Sequence, residues 1–132
     1  MLEVAVSIPT PDGISDGFLY RRDDSGALPG IVHLTDIYGV REASRGMARR
    51  LAGDGYTVLL PNVFYRTRQS PMFDFPPNFA EERTKARMAE LATPLTPGAV
   101  DRDANAYVDF FTCPGAERAY VNMTELFART LR

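Results

Sequence analysis

The residues able to do chemistry in this chain are few and scattered. One segment, Thr35-Asp36-Ile37-Tyr38-Gly39-Val40, sets an acid just ahead of successive backbone N–H groups on a tight, glycine-containing turn. An acid and N–H groups so placed can face a reacting carbonyl and help hold an oxyanion. A second reading leaves Asp36 as a helix cap and Gly39 as the residue that permits the turn, since Asp is common at helix starts. Elsewhere the chemistry is thinner. His33, the single histidine, falls inside a predicted strand, which aims it at a sheet face as a packed or edge-exposed side chain. Cys113, the single thiol, stands before Pro114-Gly115 and reads as an ordinary cysteine at a helix end. Asp101 and Asp103 lie on a predicted helix with no histidine nearby in sequence, as a solvated face and a helix start. Lys85 and Arg87 sit among Glu81, Glu82, Arg83 and Glu90, the mixed signs of an exposed helix.

The elements that must position these residues follow from periodicity. Glu3 to Pro9 alternates Val4, Val6 and Ile8 with polar or small residues, and Phe18 to Arg21 is short and aromatic, so both read as half-exposed strands. Two turn signals lie between them, Pro11-Asp12-Gly13 and Ser15-Asp16-Gly17, and a hairpin-like loop is expected there. After the polar break Asp23-Asp24-Ser25-Gly26, the run Gly30-Ile31-Val32-His33-Leu34 suits a strand covered on both faces. Glu42 to Asp54 sets Ala43, Met47, Ala48 and Leu51 at helical spacing, with Gly55 at its end. Tyr56 to Leu60 is a second β-branched run. Strand, helix and strand within this span make a βαβ unit, and hence a right-handed crossover and a parallel pair.

From Pro61 to Pro77 the chain is rich in Pro, Asn, Arg and aromatic residues and has no period, the signature of a long surface loop. Phe79 to Leu91 and Ala99 to Phe111 are predicted helices, the latter with Val100, Ala104, Tyr107, Val108 and Phe111 along one stripe. Tyr120, Met123, Phe127 and Leu131 share one face of a predicted closing helix.

Composition narrows the function classes. Fifteen basic and seventeen acidic residues among 132 leave a net charge of −2, without the basic stripe that recruits nucleic acid. No apolar run approaches the ~20 residues of a membrane span. A lone cysteine and an N-terminus without a charged leader followed by an apolar run point to a cytoplasmic protein.

Pro29-Gly30-Ile31-Val32, Asp36-Ile37-Tyr38-Gly39-Val40, Arg49-Arg50-Leu51-Ala52, Gly55-Tyr56 and Leu60-Pro61-Asn62-Val63-Phe64-Tyr65-Arg66 occur in order and at matched spacing. Together they resemble the dienelactone hydrolase family of α/β hydrolases, over roughly the first half of that fold. Glu117 to Arg132 resembles the family's closing helix. The resemblance implies an α/β fold with a mostly parallel sheet and flanking helices, and hydrolysis of a small-molecule ester or lactone through a Cys-His-Asp triad without metal or organic cofactor. It implies Asp36 as the pocket acid, where members usually have Glu, the backbone of Ile37 as an oxyanion donor, and Tyr38, Lys85 and Arg87 at the substrate. The family's Gly-x-Cys-x-Gly elbow is missing, and Pro114 after Cys113 has no N–H to offer an oxyanion.

The expectation is therefore one truncated α/β-hydrolase-like domain over residues 1–132, with the triad segment lost by an internal deletion near Cys113-Pro114-Gly115 and no activity of its own. Two alternatives are a non-catalytic binding or interaction module, and a half-domain completed by another chain. An open sheet edge in such a domain favours association into an oligomer.

Overall fold

The structure, a computed structural model, describes residues 1–22 and 28–111. The expectations for Cys113 and for a closing helix over Glu117 to Arg132 lie outside those residues. Chain order is β1 (Leu2–Thr10), β2 (Gly13–Arg21), β3 (Gly30–Val32), α1 (Glu42–Gly53), β4 (Thr57–Pro61), α2 (Glu82–Ala92) and α3 (Pro97–Phe110). The strands form one sheet in the order β1-β2-β4-β3. β1 and β2 pair antiparallel from Leu2↔Arg21 to Thr10↔Gly13, β2 pairs antiparallel with β4, and β3 pairs parallel with β4. The sheet is thus mixed, and its parallel pair is the expected strand-helix-strand unit.

The hairpin closes at Pro11-Asp12, earlier than two turn signals suggested. Ser15, Asp16 and Gly17 belong to β2 rather than to a loop. Their types answer tertiary demands. A Cβ at position 17 would stand 2.5 Å from the Leu60 carbonyl oxygen, so only glycine lets β4 come alongside. Ser15 is buried, and its hydroxyl donates to the Asn62 carbonyl at 2.9 Å.

All of β4 is buried, as a strand covered on both faces must be. Val58 and Leu60 face one side with Tyr20, Val40 and the α1 residues Ala48 and Ala52. Leu59 faces the other with Ile8, Val32, and Tyr107 and Phe111 from the α3 end of the chain. α1 and α3 therefore cover opposite faces of the sheet. α1 starts after Arg41, whose N–H donates to Ser44 Oγ at 2.9 Å. α3 starts after Thr96, whose hydroxyl accepts from Ala99 N at 3.2 Å, with Pro97 in the first turn where its missing N–H does no harm. α2 begins at Glu82, later than Phe79, because Asn78 first makes its own turn and accepts from Ala80 N and Glu81 N.

Candidate functional site

The Asp36–Gly39 turn lies beyond the carboxyl end of β3, where open α/β sheets present their ligand crevices. Asp36 builds the turn from its own atoms. Its carboxylate accepts from Tyr38 N at 3.0 Å, and its carbonyl accepts from Gly39 N at 3.0 Å. It does not cap α1, whose preceding residue is Arg41. Arg41 instead reaches back, placing a guanidinium nitrogen 3.3 Å from the Asp36 carboxylate while lying over the Tyr38 ring, 4.9 Å from its centroid. The turn consumes the N–H groups of Tyr38 and Gly39; that of Ile37 has no part in its hydrogen bonds.

Gly39 has φ +72, and a Cβ there would meet Met72 Cγ at 2.3 Å. Both facts demand glycine. Met72 is fully buried with Phe64 and Leu91, and Ile37 packs on the same cluster, so the long loop after β4 forms the floor of the turn. Arg87 donates to the Met72 carbonyl at 2.7 Å and pairs with Asp74 at 3.5 Å. Arg87 thus touches the loop that supports the turn. Lys85 pairs with Glu82 at 3.7 Å on the exposed side of α2 and does not join it. Tyr38 extends into an aromatic row, with Phe73 at 5.8 Å and Phe79 at 5.9 Å, and Phe75 packs edge-on to Phe73 at 5.6 Å. Arg83 and Arg87 lie over Phe75 and Arg41 over Tyr38, so cations rest on two rings of the row.

Two depressions meet at Leu34 and Thr35. One, of about 220 Å³, is walled by His33, Asp36, Arg41, Ser44 and Met47. The other, of about 380 Å³, is largely apolar and is walled by Val63, Phe64, Leu95, Val100, Ala104 and Tyr107. The Thr35 hydroxyl is buried with no hydrogen-bond partner among the described residues. His33 is half-buried, and burial holds its imidazole below the ordinary value of 6.5. Among the described residues no three His, Cys, Asp or Glu side chains are grouped to hold a metal.

Sequence reasoning missed two clusters. Asn62 is fully buried, donates to Asp16 Oδ1 at 2.8 Å and to the Arg68 carbonyl at 2.9 Å, and accepts from Phe64 N at 3.0 Å. Asp16 also accepts from Ser70 N at 3.1 Å, so these two side chains set the path of the loop. The second cluster corrects the reading of Asp103 as part of a solvated surface. Asp103 is 3% exposed and takes a bidentate pair from Arg66 at 2.7 and 2.8 Å, plus the Tyr65 hydroxyl at 2.7 Å. Arg66 and Arg102 both reach Asp12 in the hairpin turn. Hydrogen bonding to Asp103 holds the Arg66 guanidinium protonated well above its ordinary range. Asp101, two residues away, is exposed as expected.

A mixed α/β sheet, with its candidate site at the carboxyl end of a parallel pair, defines the general class. Comparison with known proteins resolves it further. The dienelactone hydrolase family model matches residues 15–128, and the chain belongs to that family. A carboxymethylenebutenolidase of Rhodococcus opacus is 43% identical over 49 residues, 37% of this chain and 19% of the relative. A solved chain from Klebsiella pneumoniae subsp. pneumoniae MGH 78578, described as a dienelactone hydrolase, superposes with a TM-score of 0.72 at 21% identity. The match covers 89% of this chain and 46% of that one. A dienelactone hydrolase-like promiscuous phosphotriesterase from metagenomic libraries superposes with a TM-score of 0.61 at 20% identity, covering 88% and 45%. At such identities the superpositions speak for the fold. The chain spans under half the length of these solved relatives. No helix among the described residues is long and apolar enough to cross a membrane.

Proposed function

We propose that this chain carries the acid and oxyanion side of an ester- or lactone-binding pocket and does not turn over ester or lactone by itself. The observation that carries the reading is the Asp36–Gly39 turn. It is locked by its own carboxylate and floored by Met72, and the Ile37 N–H is left out of its bonding. A donor fixed in this way pays no reorganisation when charge develops on a substrate oxygen. Asp36, Ile37 and Tyr38 are the residues assigned to the substrate. Arg87 is assigned a supporting place through Met72, and Lys85 a place on the outer face of α2.

The family's chemistry needs a thiolate and an imidazole within hydrogen-bond reach of each other. The only histidine of this chain directly follows β3, and the only thiol is followed by Pro114, so the elbow donor is absent from the sequence. The test is hydrolysis of an activated aryl ester and of a dienelactone by the purified chain and by Cys113→Ser. Equal, background-level rates are expected. Turnover that disappears in Cys113→Ser overturns the reading.

A further inference from the structure

β1 pairs with β2 residue for residue over its nine positions, without a bulge, and among the described residues no strand lies on its other side. Asn62 N donates to Asp16 O, so the even-numbered residues of β2 turn their polar groups toward β4 and the odd-numbered ones toward β1. By the register, those odd residues meet the even residues of β1. The N–H groups of Glu3, Ala5 and Ser7 therefore point outward along the edge, and Pro9, which has no N–H, ends the row. Edge strands are ordinarily blunted by lysine, by a bulge or by brevity. From Leu2 to Ile8 this one has none of these, and its single charge, Glu3, is tied to Arg45 and Arg49 at 3.2 and 3.1 Å on the α1 face.

On the α3 face the edge is apolar. Val6 and Ile8 pack beneath α3, whereas Leu2 and Val4, on the same side of the strand, are 43% and 39% exposed. Beside this stretch a groove of about 550 Å³ opens between Pro9 and Pro11 on one wall and Ala106, Asp109 and Phe110 of α3 on the other.

We infer that this edge joins two copies of the chain, β1 pairing antiparallel with β1 about a two-fold axis at Ala5. In that register Ala5 faces Ala5, Glu3 faces Ser7, Val4 faces Val6 and Leu2 faces Ile8. All three outward N–H groups of each copy then meet carbonyls of the other. A register moved two residues toward Pro9 sets Glu3 against a residue with no donor to return, and one moved the other way sets Ser7 against a residue outside β1. The exposed Leu2 and Val4 close onto Ile8 and Val6 of the second copy, with Leu2 at the mouth of its groove. Arg21, the hairpin neighbour of Leu2, comes to the side of Asp109, opposite in charge. No like charges are opposed, because Glu3 stands across from Ser7. The same patch thus complements itself, as a two-fold interface requires.

Sedimentation of the intact chain at micromolar concentration is expected to give the mass of a dimer, and Ala5→Pro that of a monomer. The substitution removes only an outward donor, which an edge strand tolerates. Should urea unfolding show that this variant does not fold, Ala5→Lys takes its place, setting two like charges face to face across the axis with the backbone unchanged. Cross-linking in a Cys113→Ser background reads the register. Ala5→Cys, with Cα atoms about 5.5 Å apart across the axis, is expected to oxidise to a disulfide-linked dimer. Ser7→Cys, displaced from its counterpart by about 13 Å along the strands, should do so roughly tenfold more slowly or less. A monomer at every concentration up to roughly 100 µM overturns the inference. So does a dimer that survives the substitution in a folded variant, equal cross-linking from positions 5 and 7, or growth beyond the dimer, since a two-fold pairing closes on itself. No catalytic readout enters, so the outcome is separate from that of the ester assay.

Discussion

At Gly39 two independent constraints coincide, a left-handed φ of +72 and a side chain already in the space where a Cβ would stand. Gly39→Ala is therefore expected to destabilise the fold by about 2–4 kcal/mol, adding a backbone and an overpacking penalty, as read from a urea midpoint. Asp36 is a contrasting case. Its pair with Arg41 is about half exposed on both sides, and such pairs contribute little to stability. Asp36→Asn keeps an oxygen for the Tyr38 N–H and should move the midpoint by less than about 1 kcal/mol. A larger loss would mean that the carboxylate charge itself holds the turn. In the proposed pocket, Asp36 serves for what it presents to a ligand rather than for stability. The short motif was legible in the sequence, whereas Met72 as its floor was not, because the loop that delivers Met72 has no period to read.

Between elements, the hairpin turn, the loop after β4 and α3 are joined through Asp12, Arg66 and Asp103 rather than by apolar packing alone. Asp103→Ala leaves the Arg66 guanidinium, 13% exposed, without its bidentate partner, and should destabilise by about 3–5 kcal/mol. The neighbouring Asp101→Ala should stay within about 0.5 kcal/mol. Equal effects from the two substitutions would refute the buried role of Asp103. Periodicity located the helix that holds both residues, and which of two carboxylates about half a turn apart is buried can be told only when the partner's position is known. Arg66 comes from a loop nearly forty residues upstream, which no helical pattern can reveal. The same limit explains Ser15, Asp16 and Gly17: their local turn chemistry is overridden by the close passage of β4.

For the molecule as a whole, acid stability follows from four of the described groups. Glu3 is held below the ordinary carboxylate range by a hydrogen bond from Tyr20 and by Arg45. Asp12 is held down by Arg102 and Arg66, Glu42 by Arg49, and His33 by burial. All four bind protons more readily when unfolded, so each contributes stability that is complete above its unfolded value and lost as pH falls toward its folded one. Stability should be flat above about pH 7, begin to fall below about 6.5 as the His33 contribution is lost, and fall again below about 4.5 with the carboxylates. His33→Phe should remove the first step and leave the second. A first step that persists in that variant would assign it elsewhere. Tyr20, buried beside Glu3, is pushed up to about 12, so its proton plays no part in this range. By itself the sequence determined the order of strands and helices, the βαβ unit, the turn at Asp36 and membership of a hydrolase family, because apolar period and short spaced motifs are local properties of a chain. Only the tertiary structure decided that β3 is the outer strand among the described residues, that α1 and α3 lie on opposite faces, and that Asp103, Asn62 and Met72 are interior. Those facts depend on which distant segments meet, and burial is a property of the meeting rather than of either segment.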